Sequence, residues 1–584
     1  MSVQESFFNR PRIALITNHG YGGVIVPVGG APDTGGQNMY VNSMAQALVQ
    51  LGFHVSIFAR GGFPFFGLEK VREGIEPFGD NARYVYVPGG GDKFIRKEDI
   101  AVALDEEVDW IEDFVSKEAA ELSCKPHQVY EIWNTHYWDA GVIGMLLEVR
   151  WMAREALGLL RKAVEGVALE ETLRDFEMKG HWSGAATSLE LLAGKCCLAA
   201  VDPTLKPVER VGGAVRLWCE KRNEPIGNHG KQAMEEFERN SKGLGPVTAT
   251  LVEAETVGRK ILSLWDKDGN RRKALAAVSR HVFTPHSLGL LKEENFKDRP
   301  LDVKRALKFC ERRNHEIAVC NTARAFVATS TEIAERLRTG LGVDPGKMFF
   351  FPPGVDRKKF RKYSPGELAP VYDYLAEKSG VHVDELKKAK IIFETSRMDR
   401  TKRKDLLLDA FAMASEELDG TFLFIGGGPE KEIFKQLEDK IRKDSRLMGK
   451  AFLLGFIPDH YLYPMFSLAD LFVTASEMEG FGMSAAQAAA VGTPLVTSHL
   501  VPFSAQYVPD AAVIVRAGDT KGFRDAIVRL LSDARDLEER GRTLAEKTAG
   551  LDWISLSRAF LGHLRMRGLE ISGAKDEQGS SRNR

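Results

Sequence analysis

An acid, a glycine turn and an amide follow one another in Glu479-Gly-Phe-Gly-Met-Ser-Ala-Ala-Gln487. A strand from Leu471 leads in and an Ala-rich helix leads out, so a carboxylate meets unpaired N–H groups at a helix start. Such a corner suits a polyhydroxylated ligand bearing phosphate, because the helix dipole and free N–H groups favour anions. Four other segments sit at strand ends or helix starts with related chemistry. In Ser396-Arg-Met-Asp-Arg-Thr-Lys-Arg-Lys404, Arg397 can clamp phosphoryl oxygens bidentately and Lys402 adds a compact positive charge. Together they could neutralise a diphosphate leaving group without a metal; the alternative is a solvated basic turn. Ala31-Pro-Asp-Thr-Gly-Gly-Gln37 brings adjacent Gly residues to a helix start, where backbone can approach an anion, or else it is a flexible connector. Thr284-Pro-His-Ser-Leu-Gly289 sets His286 at a strand end, as a partner for a sugar hydroxyl, a proton-transfer group or a satisfied structural His. Gly426-Gly-Gly-Pro429 leaves room for a nucleotide, although a Gly turn alone is a weak signal.

These segments need strands to carry them, and the apolar pattern supplies two series. Ile13–Thr17 is an apolar run, and residues 18–36 hold seven Gly with Pro27 and Pro32. Met44, Ala47, Leu48 and Leu51 then recur at helical spacing before the apolar run Val55–Ala59. That is a βαβ unit with a long Gly-rich loop. Further strands are expected at Tyr84–Val87, Val129–Asn134, His281–Thr284 and Ala325–Thr329. A second series follows Phe349-Phe-Phe-Pro-Pro-Gly-Val-Asp356, with strands at Ile391–Thr395, Thr421–Ile425, Phe452–Phe456, Leu471–Thr474, Pro494–Thr497 and Val513–Val515. Alternation with helical patterns predicts an α/β chain of two Rossmann-like, doubly wound domains facing across a cleft, the default place for a ligand. Residues 150–280 break the alternation and read as a helical insertion in the first domain, and the polar residues 572–584 as a disordered tail.

Bulk composition narrows the function. At 584 residues the chain exceeds a single core. Lys plus Arg (80) nearly balance Asp plus Glu (81), so no global basic field points to nucleic acid or anionic membrane. No apolar run reaches the roughly 18–20 residues of a membrane span, and MSVQESFFNRPR lacks the apolar centre of a signal peptide. Six Cys without paired spacing suggest reduced thiols in a cytoplasmic protein and no zinc module.

The ordered set PDTGGQ (32–37), HYWDAG (136–141), TPHSLG (284–289), PPGVD (352–356), SRMDRTK (396–402), GGGP (426–429) and EGFG (479–482) resembles that of GT-B glycosyltransferases of family 4. The likeness is to the branch of sucrose-phosphate synthase, sucrose synthase and mannosylfructose-phosphate synthase, and it spans residues 11–149 and 281–550. It implies a GT-B fold: an N-terminal acceptor domain (1–342), a C-terminal nucleotide-sugar domain (343–550) and a C-terminal helix (551–571) packing back on the first. It further implies a retaining, metal-independent transfer of hexose from a nucleotide diphosphate sugar, UDP- or GDP-linked, to a hexose phosphate, with no further cofactor. His286, Arg397, Lys402 and Glu479 are then the implied catalytic residues. The donor would meet Gly36, Arg397, Lys402, Gly427, Glu479, Phe481, Gly482, Met483 and Gln487. The acceptor would meet Gly35, Gln37, Lys97, Tyr137, Arg312 and Arg313, and the oligomeric state is left open.

Two positions depart from the family pattern. Gln487 stands where a second Glu holds the ribose, and His499-Leu-Val-Pro-Phe503 replaces a Gly-Gly turn. Transfer to an unphosphorylated, lipid or polysaccharide acceptor is a rival reading, and so is a catalytically weak sugar-nucleotide-binding regulator. A nucleotide-sugar epimerase or dehydrogenase is disfavoured, because no GxGxxG follows the first strand.

Overall fold

The computed structural model describes residues 10–26, 33–66, 70–163, 278–296, 300–428 and 431–571. Most of the expected insertion and the whole expected tail lie outside them. Two sheets organise the chain. The first has eight strands: β1 (Arg12–Thr17), β2 (His54–Arg60), β3 (Gly74–Pro77), β4 (Ala82–Val87), β5 (Ile132–His136), β6 (His281–Thr284), β7 (Ala325–Ala328) and β8 (Met348–Phe350), in the order β3-β4-β2-β1-β5-β6-β7-β8. The second has six: β9 (Lys390–Thr395), β10 (Thr421–Gly426), β11 (Ala451–Gly455), β12 (Leu471–Thr474), β13 (Leu495–Ser498) and β14 (Val513–Val515), in the order β11-β10-β9-β12-β13-β14. Every pairing is parallel except β3 with β4.

Parallel strands need crossovers, and helices covering both faces leave the strands apolar throughout. Phe58, Phe283 and Phe326 fill the first domain, and Phe393, Phe424, Phe466 and Phe472 the second, each essentially inaccessible. Burial of such a side chain contributes about 1.5–3 kcal/mol.

One expected strand starts late, and two strands were not expected. The strand expected at Val129–Asn134 begins instead at Ile132, opposite Ile13, because a 3₁₀ turn at Pro126–Gln128 delivers the chain to the sheet late. Val129 and Tyr130 are buried but stand ahead of the strand. β3 is a largely exposed antiparallel edge, Gly-Ile-Glu-Pro, too polar and Pro-ended to show as a strand. β8 is only three residues long and closes the other edge.

The helices that bear on the cleft are α1 (Gly36–Gln50), α2 (Leu104–Glu121), α3 (Trp138–Ala163), α4 (Gly289–Asn295), α5 (Phe309–Cys320), α6 (Lys404–Ala414), α7 (Met483–Val491) and α8 (Trp553–Met566). The last returns to the first domain, where Phe560, Leu561 and Leu564 share a core with Tyr40, Val41 and Leu48 of α1. At the crossing point the Val355 N–H donates to the Leu551 carbonyl at 2.7 Å.

Candidate active site

Strand register assembles the first wall of the cleft. Thr17, His136 and Thr284 end β1, β5 and β6 side by side, so the loops that follow share one rim. Gln37, on the first turn of α1, ties this rim together: its amide donates to Thr17 Oγ1 and to the His136 carbonyl, both at 3.2 Å. Gly35 and Gly36 precede it, and a Cβ on either would meet nothing within 4 Å.

Three histidines converge here. His286 Nε2 lies 3.0 Å from Nδ1 of the inaccessible His136, and the rings stack with centroids 5.2 Å apart. Burial, with His19 nearby, pushes His286 down to about 3 and holds it neutral. His19 pairs through Nδ1 with the buried Asp139 carboxylate at 3.1 Å and packs on the Tyr137 ring. The residue-type reading missed His19, whose only signal is its place two residues past a strand end.

Beside them a pocket of about 210 Å³ gathers more cations than anions: Lys97, Lys292, Lys308 and Arg312 line it with Tyr137 and Met478, against Glu98 and Glu311. The Tyr137 hydroxyl accepts from Lys292 Nζ at 2.9 Å and from Arg312. Arg312 also donates to the Ser287 carbonyl at 2.7 Å and pairs with the buried Glu316 at 2.8 Å. Glu316 in turn accepts the Gly289 N–H at 2.9 Å, which pins the start of α4. Lys97 is bound to Asp33 and lies 3.2 Å from Glu98. Arg313, one position along α5, turns to Glu293 at 3.1 Å and does not line the pocket; neighbours on a helix diverge by about 100°. Lys292 and Lys308 were not singled out from the sequence, since Lys292 sits amid ordinary helix formers and Lys308 just before a helix.

The second domain supplies the facing wall. Lys402, almost inaccessible, lies 2.8 Å from Glu479 and donates to the Met478 carbonyl at 2.9 Å. The acid and the base of two distant motifs therefore form one pair. Arg397 is largely exposed, with Asp399 at 3.3 Å as its partner. Gly482, at φ +100°, turns the chain into α7 where an added Cβ would lie 2.5 Å from Val501 Cγ1. The first N–H groups of α7, from Met483 on, have no carbonyl one turn behind them inside the helix. The Phe481 side chain packs against Phe503 and Tyr507, with ring centroids 5.6 and 5.5 Å away, so it belongs to the core of the second domain. Gln487 is half-buried one turn further along α7. Gly427, at φ +152°, crosses so close to Ser396 that a Cβ would lie 2.2 Å from its carbonyl oxygen. His499-Leu-Val-Pro-Phe503 leads into a π-helical turn at Phe503–Tyr507, a form frequent at functional sites.

Among known proteins, residues 381–547 match the family described as Glycosyl transferases group 1, and residues 269–359 that described as Glycosyltransferase Family 4. Mannosylfructose-phosphate synthase of Agrobacterium fabrum is 24% identical over 500 residues, covering 84% of this chain and 76% of that protein. A D-inositol 3-phosphate glycosyltransferase of Nocardia farcinica is 27% identical over 310 residues, 52% of this chain and 64% of that protein. The solved sucrose-phosphate synthase of Thermosynechococcus elongatus has the same fold, with a TM-score of 0.56 and 18% identity over 95% of this chain and 99% of that one. HepE of Anabaena, solved in complex with UDP, gives a TM-score of 0.51 at 12% identity, over 95% and 100%. In its two facing α/β domains and in both matched segments, the chain resembles the GT-B glycosyltransferases of family 4, in the branch of the mannosylfructose-phosphate and sucrose-phosphate synthases.

Proposed function

We propose that this glycosyltransferase is a retaining hexosyltransferase that moves a hexose from a UDP- or GDP-hexose to a hexose phosphate, releasing a disaccharide phosphate. One observation carries the reading. The pocket of the first domain, where four cations outnumber two carboxylates, is also lined by Met478, the residue before Glu479, so a net positive site adjoins the acidic corner of the second domain. The likeness to the mannosylfructose-phosphate synthase of Agrobacterium and to HepE, solved with UDP, supports the same two ligands.

In this reading Arg397, Lys402 and the start of α7 hold the diphosphate, and Glu479 accepts hydrogen bonds from donor-sugar hydroxyls. Lys97, Lys292 and Arg312 hold the acceptor phosphate. The anomeric carbon–phosphate oxygen bond breaks as the acceptor oxygen bonds to the same face of the sugar. The acceptor proton passes to the departing phosphate, whose charge Arg397 and Lys402 stabilise as it develops. Neutral His286 lies at the rim, able to donate or accept one hydrogen bond without adding charge. Incubation with UDP-, GDP- and ADP-hexoses against a panel of hexose phosphates, read by mass spectrometry and by NMR of the anomeric centre, tests this. A disaccharide phosphate with retained configuration is expected. Product formed only with unphosphorylated acceptors, or no nucleoside diphosphate release, would overturn it.

A further inference from the structure

Lys404 stands where elementary rules argue against it. It is the first residue of α6, at the positive end of the helix dipole, where an acid is favoured and a cation is not. Its ammonium is withdrawn from water, with only 2% of the side chain exposed. A buried charge costs several kcal/mol unless partners offset it. The residue before it, Arg403, holds a left-handed φ of +48°, unusual for a side chain of that size.

The partners explain the placement. An ammonium has three donors, and Lys404 has one oxygen for each. They are the Glu394 carboxylate, the Gly426 carbonyl at 2.9 Å and the Ser396 carbonyl at 3.2 Å. Glu394, also 1% exposed, has its second oxygen satisfied by the Ser396 hydroxyl at 2.5 Å. These oxygens lie at the ends of two adjacent strands, β9 and β10, and the two carbonyls each stand one step before a turn residue proposed to meet the donor. Ser396 precedes Arg397, and Gly426 precedes Gly427. The Ser396 carbonyl that Lys404 binds is also the atom that leaves no room for a Cβ at Gly427.

We propose that Lys404 is a positioning residue for the donor, a buried tripod that fixes the spacing between the Arg397–Lys402 turn and the Gly427 turn so that one nucleoside diphosphate can span both. The inference rests on the reading that the donor occupies these two turns. Its own charge is cancelled by Glu394, so it acts through the geometry of its neighbours and not by touching phosphate.

The test separates that role from simple support of the fold. Lys404→Met alone strands a buried carboxylate and is expected to lower the melting temperature. The pair Glu394→Gln with Lys404→Met removes both charges, and such replacements of buried pairs are often neutral for stability. The double variant should melt within a few degrees of wild type, yet bind UDP or GDP at least tenfold more weakly by calorimetry. Its KM for the donor should rise at least tenfold while the KM for the acceptor moves less than twofold. Lys404→Arg keeps the charge, but its planar fork cannot meet three oxygens set as a tripod, and it should lose at least fivefold in nucleotide affinity. A folded double variant or Lys404→Arg variant with wild-type affinity overturns the proposal. Wild-type protein that binds none of UDP, GDP and ADP overturns the donor reading and this inference with it.

Discussion

The pair formed by Lys402 and Glu479 yields opposite expectations for its two members. At 2.8 Å, with Lys402 6% and Glu479 20% exposed, each group occupies part of the other's bonding capacity while the cleft is empty. If Lys402 binds the diphosphate, Lys402→Met removes a charge-assisted hydrogen bond worth about 1.5–3 kcal/mol. At 1.4 kcal/mol per tenfold, UDP or GDP should bind about 10- to 100-fold more weakly. The loss should approach the upper figure, because the uncompensated Glu479 carboxylate then repels the incoming diphosphate. Glu479→Gln acts in the other direction. It frees the Lys402 ammonium, which keeps the Met478 carbonyl at 2.9 Å and so stays ordered. Nucleoside diphosphate affinity should hold or rise, while kcat for the nucleotide sugar falls about 100-fold as a carboxylate contact to the sugar is lost. Calorimetry with the free diphosphates and steady-state kinetics with the donor sugar separate the two effects, with melting curves as the control for folding. A Glu479→Gln variant that loses diphosphate affinity as severely as Lys402→Met would refute the division of labour, because the pair would then be one structural unit.

Three further outcomes follow from the same geometry. Lys97→Ala should raise the KM for a hexose phosphate about tenfold or more and leave the donor KM within twofold; equal effects on both would remove Lys97 from the acceptor site. Gln487→Glu should tighten nucleotide binding several-fold in calorimetry if the ribose lies against α7, and unchanged affinity would place the ribose elsewhere. His286 should add no pH dependence near neutrality, since its environment pushes it down from 6.5 to about 3. A group depressed this far is already deprotonated at pH 5, so kcat/KM should show no acid limb from His286 between pH 5 and 7. A limb near 6.5 in wild type that disappears in His286→Asn would contradict that.

Much of the fold was legible because parallel strands buried on both faces are plain apolar runs. His281–Thr284, Leu471–Thr474 and Val513–Val515 have the expected limits. The edges of the first sheet were not legible: Gly74–Pro77 is too polar, and Met348–Phe350 merges with the apolar run that leads into Pro352. The candidate site divides the same way. Residues inside glycine-marked turns, such as Arg397, Glu479 and His286, declare themselves by context. Lys292, Lys308, His19 and Lys404 do not, since each is a lone polar residue whose partners lie far off in sequence. Even within the motifs, residue type did not say what a side chain does: Phe481 belongs to the core, and Gln37 has its amide engaged by two strand ends.

Backbone conformation carries a second signal that residue types conceal. Among the described residues six other than glycine have a left-handed φ: Asp33, Ser123, Tyr137, His286, Lys308 and Arg403. All but Ser123 border the cleft. Asp33 holds Lys97, Tyr137 and Lys308 line the cationic pocket, His286 stands on the rim, and Arg403 lies between Lys402 and Lys404. Each such residue costs of order 1–3 kcal/mol and persists only where its surroundings over-determine it. Here the determinants are visible: Tyr137 is held by Lys292 and Arg312, His286 by His136, and Arg403 by Asp405 and Glu477. Glycine at these positions would relieve the strain, so a fold selected for stability alone would favour it. That side chains stay, at a conformational cost and all around one cleft, argues that the side chains themselves are needed where the two ligands are proposed to meet.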